Sequence, residues 1–359
     1  MSLRPLALTA SLLALAACDA SSGTTPEADP APATANAGEA ATDATPDAPP
    51  ATITVYSGRK ESLVGDLIKL YEETTGGKAE VRYGKTAEMA ATLLEEGDAS
   101  PADVFFAQDA GGLGAVSAGG MLSALPDDIV SASPKRFRSE TNDWVGISGR
   151  ARVVAYSTER VKPEDLPESI LGFTDPKWKG RIGWPPTNGS FQAFVTALRQ
   201  RLGEDGAKAW LEGILANEPK VYPKNTPTVK AVADGEIDVG FVNHYYLFRF
   251  IAEEGEGFPV RNHYMPKDDI GNLINVAGVG IVRTTKNRAA AEGFVKFLQS
   301  DAAQTYFAEK TYEYPLREGV PTHPILKPLS EIDTPDVDLN QLDDLRKTLD
   351  LLREVGALD

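Results

Sequence analysis

At 359 residues, with a formal net charge of −16 and a single cysteine, the chain is long enough for two packed lobes and too acidic for a nucleic-acid surface, which selects basic side chains. One thiol excludes a disulfide framework and a thiolate metal centre. The histidines, His244, His263 and His323, are too scattered for a zinc motif.

Arg4 followed by the apolar stretch 6–15 reads as a secretion signal. Leu15-Ala16-Ala17-Cys18 resembles the bacterial lipoprotein signal box, which implies removal of residues 1–17 and a lipid on Cys18. Asp19 resembles a signal for retention at the inner membrane. No other segment approaches the ~20 apolar residues of a membrane span. The expected location is therefore the periplasm, with Cys18 anchoring the chain to the inner membrane. Residues 19–50 hold no basic and no large apolar side chain, so 18–50 is expected to be a disordered acidic tether. Its mean reach is roughly 30 Å by flexible-coil scaling.

From residue 51 onward the pattern alternates. Ile53–Tyr56 reads as a strand, Leu63–Glu72 as a helix, Ala79–Tyr83 as a strand, Thr86–Glu96 as a helix capped by its threonine, and Ala102–Phe106 as a strand. A second run follows: strands at Val153–Tyr156, Arg181–Trp184 and Val239–Val242, with a helix at Phe191–Leu202. Gly278–Val282 reads as a returning strand, Ala289–Leu298 as a helix, and Leu342–Val355 as an amphipathic terminal helix. This predicts an α/β fold of two lobes joined by two crossover strands, with a ligand cleft at the carboxyl ends of the strands. The expected lobes are 51–148 plus 277–325 and 149–276, with a helical segment at 326–359 packed on them.

Polar loops follow these strands. In Tyr56–Glu61, Arg59 suits an anion and Glu61 a hard cation, although a capped turn with a solvated Glu fits equally well. Gln108-Asp109 would face the same cleft, or Asp109 would cap a helix. Pro186–Phe191 opens a helix with small polar residues suited to an oxyanion, or forms an ordinary cap. Lys224-Asn225-Thr226 and Asn243 add polar groups.

Tyr245 and Tyr246 are the most specific feature. A phenol keeps its proton to pH ~10, so it ligates only a cation able to drive that proton off, such as ferric iron. Neighbouring strand residues face opposite ways. Both can reach one ion only if a helical turn begins there, as Leu247, Phe248, Phe250 and Ile251 suggest. No nucleophile elbow, P-loop or dinucleotide fingerprint supports an enzyme.

In order along residues 53–316, the segments Val55–Glu61, Ser100–Phe106, Trp144–Arg150, Pro186–Phe191 and Asn243–Tyr246 resemble the periplasmic ferric-iron-binding proteins of bacterial ABC importers. That resemblance implies a type II periplasmic binding protein fold and Fe3+ as the transported ligand, held by Tyr245 and Tyr246. It implies a pocket for a synergistic anion, phosphate or carbonate, at Asn188, Gly189, Ser190, Asn225 and Asn243, with Arg59 and Arg150 neutralising the anion. Gln108 stands where some members carry a glutamate ligand. Lys60 and Glu61 stand where some carry histidine or tyrosine, and Phe191 where others carry a further phenol. The expectation is a monomeric non-enzyme that serves an inner-membrane ABC permease, with Glu61 or water completing the metal shell. The same lobes would also suit an organic or phosphorylated anion. A cell-envelope hydrolase on this scaffold is a third reading.

Overall fold

Short apolar runs and amphipathic stretches give strands and helices in turn from Thr52 onward. The computed structural model describes residues 52–342 and 344–358, so the expected signal (1–17), tether (18–50) and lipid-bearing Cys18 lie outside the described residues. The first run comprises β1 (Thr52–Ser57), α1 (Glu61–Thr75), β2 (Lys78–Tyr83), α2 (Thr86–Glu96), β3 (Val104–Ala107), α3 (Ala110–Ala118), β4 (Leu122–Ser123) and α4 (Asp127–Ser131). Helix α1 buries Leu63, Val64, Leu67, Ile68 and Tyr71 on one face. It stops at Gly76, whose φ of 72° is the left-handed cap that glycine adopts without strain. Thr86 is the first helical residue of α2 rather than its cap; its hydroxyl accepts the Gln108 amide at 3.0 Å and so fastens the loop after β3.

The chain continues through β5 (Trp144–Ser157), β6 (Ile182–Trp184), α5 (Gly189–Ala216), β7 (Lys220–Val221), α6 (Asn225–Ala233), β8 (Val239–Asn243), α7 (Tyr245–Glu254) and β9 (Val260–His263). It closes with β10 (Ile274–Val282), α8 (Arg288–Leu298), α9 (Asp301–Thr311), β11 (Tyr314–Pro315) and α10 (Leu345–Glu354). The expected helix from Phe191 is longer than predicted, with a kink at Gly203 (φ 76°, ψ 171°). The strand expected at 153–156 is only the far part of β5, which is buried along nearly all its length. Burial on both faces removes the alternation that marks a strand in sequence.

Strands run in the order β2-β1-β3-β10-β5-β8-β6-β7. β1 lies parallel between β2 and β3, as βαβ units require. β5 pairs antiparallel with β10 as far as Ala151, then from Arg152 with β8 and from Val154 with β9. One strand therefore belongs to both lobes, and β10 returns beside it. The far end of the chain also touches both. The Leu342 carbonyl approaches α3 so closely that a Cβ on Gly111 would lie 2.6 Å from it. Two residues later, Asp344 pairs with Arg199 of α5 at 3.1 Å, and Thr348 bonds to Thr196 at 2.7 Å.

Candidate functional site

Strand β8 ends at Asn243, and His244 already has helical angles (φ −57°, ψ −41°), so α7 begins directly at Tyr245. This switch puts two consecutive side chains on one side: the Tyr245 and Tyr246 rings stack at 4.3 Å and 29°. His244 fixes the switch. Its Nδ1 accepts the Ala151 amide at 3.1 Å, which leaves Nε2–H to donate to the Tyr312 carbonyl at 2.8 Å. The Tyr314 ring stacks on it at 4.6 Å. Burial lowers the imidazole pKa to about 4, so His244 is a neutral anchor.

Tyr245 is fully buried, and its hydroxyl has no partner among the described residues. Burial, then the neighbouring Tyr246, hold its pKa well above the usual phenol value, while Arg150 and Arg59 act the other way. Tyr246 is half-buried, and the Arg249 guanidinium lies 5.3 and 5.7 Å from the two ring centroids.

The facing wall is built from buried charge. Arg59, in the loop after β1, donates through Nη2 to Glu313 Oε1 at 2.6 Å, with both side chains fully inaccessible. Ser148 of β5 donates to the other Glu313 oxygen. Arg150 donates to the Gln108 carbonyl. Among the described residues, Nε and Nη1 of both arginines have no partner. Leaving buried charged donors unmade is expensive, so these atoms, with the Tyr245 hydroxyl, point to a ligand.

A polar corner lies at the start of α5. Asn188 caps the helix, its Oδ1 accepting the Ser190 amide at 3.1 Å and the Asn225 amide group at 3.5 Å. Asn225 is wholly buried with an unpartnered Oδ1, Ser190 is buried, and Gly189 is exposed with nothing within 4 Å of a notional Cβ. Asn225 opens α6.

Other expected residues stand further from this core. Glu61 opens α1 with an exposed side chain, and no hydrogen bond joins it to the tyrosines among the described residues. Gln108 meets the site through its backbone carbonyl. Asp109 takes its helix-capping role, accepting the Gly112 amide at 3.0 Å. Phe191 packs edge-on against Trp184 at 5.5 Å.

Two charged residues escaped the sequence reading. Arg152 is buried on β5; its Nη1 donates to Asn243 Oδ1 at 3.0 Å and its guanidinium lies over Phe191 and Phe194. Burial lowers its pKa to about 9, with Tyr246 and Tyr245 acting in the opposite direction. An arginine inside an apolar strand was the available signal. Glu313 gave none, being 254 residues from Arg59 in sequence. Among the described residues no group of three or more His, Cys, Asp or Glu side chains could hold a metal, and no helix is long and apolar enough to cross a membrane.

Residues 100–341 match the model of a family described as bacterial extracellular solute-binding protein. The major ferric iron-binding protein of Neisseria meningitidis serogroup A is 34% identical over 305 residues, covering 84% of this chain and 92% of that protein. The Fe(3+)-binding periplasmic protein of Serratia marcescens is 31% identical, covering 85% and 90%. Iron-bound HitA from Pseudomonas aeruginosa superimposes with a TM-score of 0.81 at 33% identity, covering 86% of this chain and 100% of that one. Trichodesmium FutA, solved with iron and citrate, gives 0.76 at 29%, covering 85% and 99%. This two-lobed chain belongs to the bacterial extracellular solute-binding proteins and, among them, to the ferric iron-binding group.

Proposed function

We propose that this protein captures Fe3+ in the cleft, with Tyr245 and Tyr246 as phenolate ligands, and passes it to an inner-membrane ABC permease. The observation that carries this reading is the unpartnered Tyr245 hydroxyl, fully buried beside Tyr246 and opposed by two arginines with unused donors. A buried phenol whose pKa is raised resists ionisation. Only a hard, highly charged cation compensates for that cost, and it does so by displacing the proton.

Asn188, Gly189, Ser190 and Asn225 would hold the companion anion at the start of α5, where unpaired helix amides favour negative charge. Arg59 and Arg150 would neutralise it, with phosphate, carbonate or a carboxylate such as citrate as candidates. Asn243 would act through Arg152, to which its Oδ1 is committed. Glu61 and the Gln108 side chain would complete the metal shell only after moving inward on closure. The lobes are 51–148 with 277–325 and 149–276, spanned by 326–359. The protein works as a monomer tethered in the periplasm through a lipid on Cys18, without enzymatic turnover.

Protein purified without chelators and titrated with ferric salt plus phosphate should develop a visible phenolate-to-iron charge-transfer band and gain thermal stability. A colourless protein with an unmoved melting temperature would rule the iron reading out. The unused arginine donors favour a second reading, an organic or phosphorylated anion without metal. Stabilisation by phosphate compounds alone, with none from ferric salts, would select it.

A further inference from the structure

We propose that Glu313 sets the charge of the arginine wall facing the tyrosine pair and so determines which anion enters with the metal. This inference rests on the iron-and-anion reading above.

The turn after α9 is built to deliver that carboxylate. Tyr312 sits at φ 56°, a left-handed conformation uncommon for a bulky residue. It is held there while its carbonyl receives His244 Nε2–H and the next-but-one ring, Tyr314, stacks on the same imidazole. Between them Glu313 points into the wall, fully buried, with one oxygen on Arg59 and the other on Ser148. Each oxygen thus already holds a protein donor, which fixes this carboxylate in place as a counter-charge to Arg59.

Arg59 and Arg150 supply two positive charges and Glu313 removes one. Arg59 uses a single nitrogen on Glu313, and its Nε and Nη1 remain unused, as do those of Arg150. The pairing therefore neutralises Arg59 without occupying its whole donor set. The field of Glu313 raises the Tyr245 pKa, against Arg150 and Arg59. Its own pKa stays below the usual range: burial pushes it up, and Arg59, Arg150 and the Ser148 hydrogen bond together more than offset that. With Glu313 in place the wall carries one net positive charge from these three groups. Without it the wall would carry two, and anions of higher charge would gain more than those of lower charge, because Coulomb energy scales with the charge of the bound ion.

The test compares anions of different charge on the full chain. Iron-free protein is loaded with ferric iron in the presence of inorganic phosphate or citrate, and the half-saturating concentration of each anion is read from the visible band. In Glu313→Gln, which keeps the size and polarity of the side chain, the advantage of citrate over phosphate should grow by on the order of tenfold. Arg59→Gln should shrink it by a similar factor, and Arg59→Gln/Glu313→Gln should return it close to the wild-type ratio. A merely structural ion pair would leave the ratio unmoved, and an unchanged ratio in folded Glu313→Gln overturns the proposal. If Glu313→Gln does not fold, adding it to the Arg59→Gln background carries the same test, with no change in ratio again counting against it. Wild-type protein that shows no band with either anion refutes the iron reading instead, so the two failures are distinguishable.

Discussion

Changing Tyr245 to phenylalanine should make the iron-free protein more stable and a far poorer iron binder. The hydroxyl is fully buried and unpartnered, so it is desolvated on folding without a compensating hydrogen bond. Such a group costs about 1–3 kcal/mol. Its removal leaves the ring stacked on Tyr246, and no cavity larger than one oxygen is created. The iron-free Tyr245→Phe protein should therefore gain about 1 kcal/mol, which for a body of this size is about 1.5 °C in melting temperature. Iron binding should move the opposite way, because half of the proposed phenolate pair is gone. The assay is a thermal melt with and without ferric iron and phosphate, alongside the visible spectrum. A gain without ligand and a lost ligand-induced shift would mark a residue kept for function at the expense of stability. A Tyr245→Phe protein that melts lower without iron, or keeps the full iron-induced shift, would refute the reasoning.

Two further outcomes test the surroundings of the pair. His244 has a folded-state pKa lowered to about 4 from an ordinary 6.5, so the unfolded chain binds more protons between those values. Stability should rise with pH across that window and fall on acidification, by on the order of 2 kcal/mol between pH 7 and pH 5. Denaturant midpoints of the iron-free protein should show this slope, and His244→Gln should flatten it; an unchanged slope would mean that other groups control acid sensitivity. Gly111→Val places a side chain where a Cβ already meets the Leu342 carbonyl at 2.6 Å. The terminal segment must shift, at a cost of about 1–3 kcal/mol, and hydrogen exchange should accelerate in α10; undisturbed exchange there would show that the two contacts are independent.

What the sequence made legible follows from what each residue must satisfy locally. Amphipathic α1 and the βαβ alternation are local properties, so both could be read directly, as could the break from strand to helix at Tyr245. Helix α6 was hidden because Lys224-Asn225-Thr226-Pro227 reads as a polar loop, yet proline is well tolerated in a first helical turn. Most of β5 was hidden by burial on both faces. Leu342 fits the periodicity of α10 but precedes it, because it closes the turn Leu339–Gln341, its amide donating to the Leu339 carbonyl. The positions of Arg59 and Asn225 were legible as polar groups following strands, whereas Arg150 lies within β5. Their partners were not: Glu313 reaches Arg59 only through the tertiary fold, and no local pattern encodes that distance.

The terminal segment has a mechanical consequence. Two crossings join the lobes at one place, where β5 changes partners after Ala151 and β10 pairs with it from Ile274. A further contact lies beside them: Leu342 rests on Gly111 of α3, whose neighbour Ala110 donates its amide to Asn275 of β10, and Asp344 pairs with Arg199 of α5. A strap laid beside a two-strand hinge stiffens that hinge and sets no second pivot. Opening of the cleft should therefore bend β5 and β10 and strain the Leu342 and Asp344 contacts at the same time, so that the terminal segment resists wide opening.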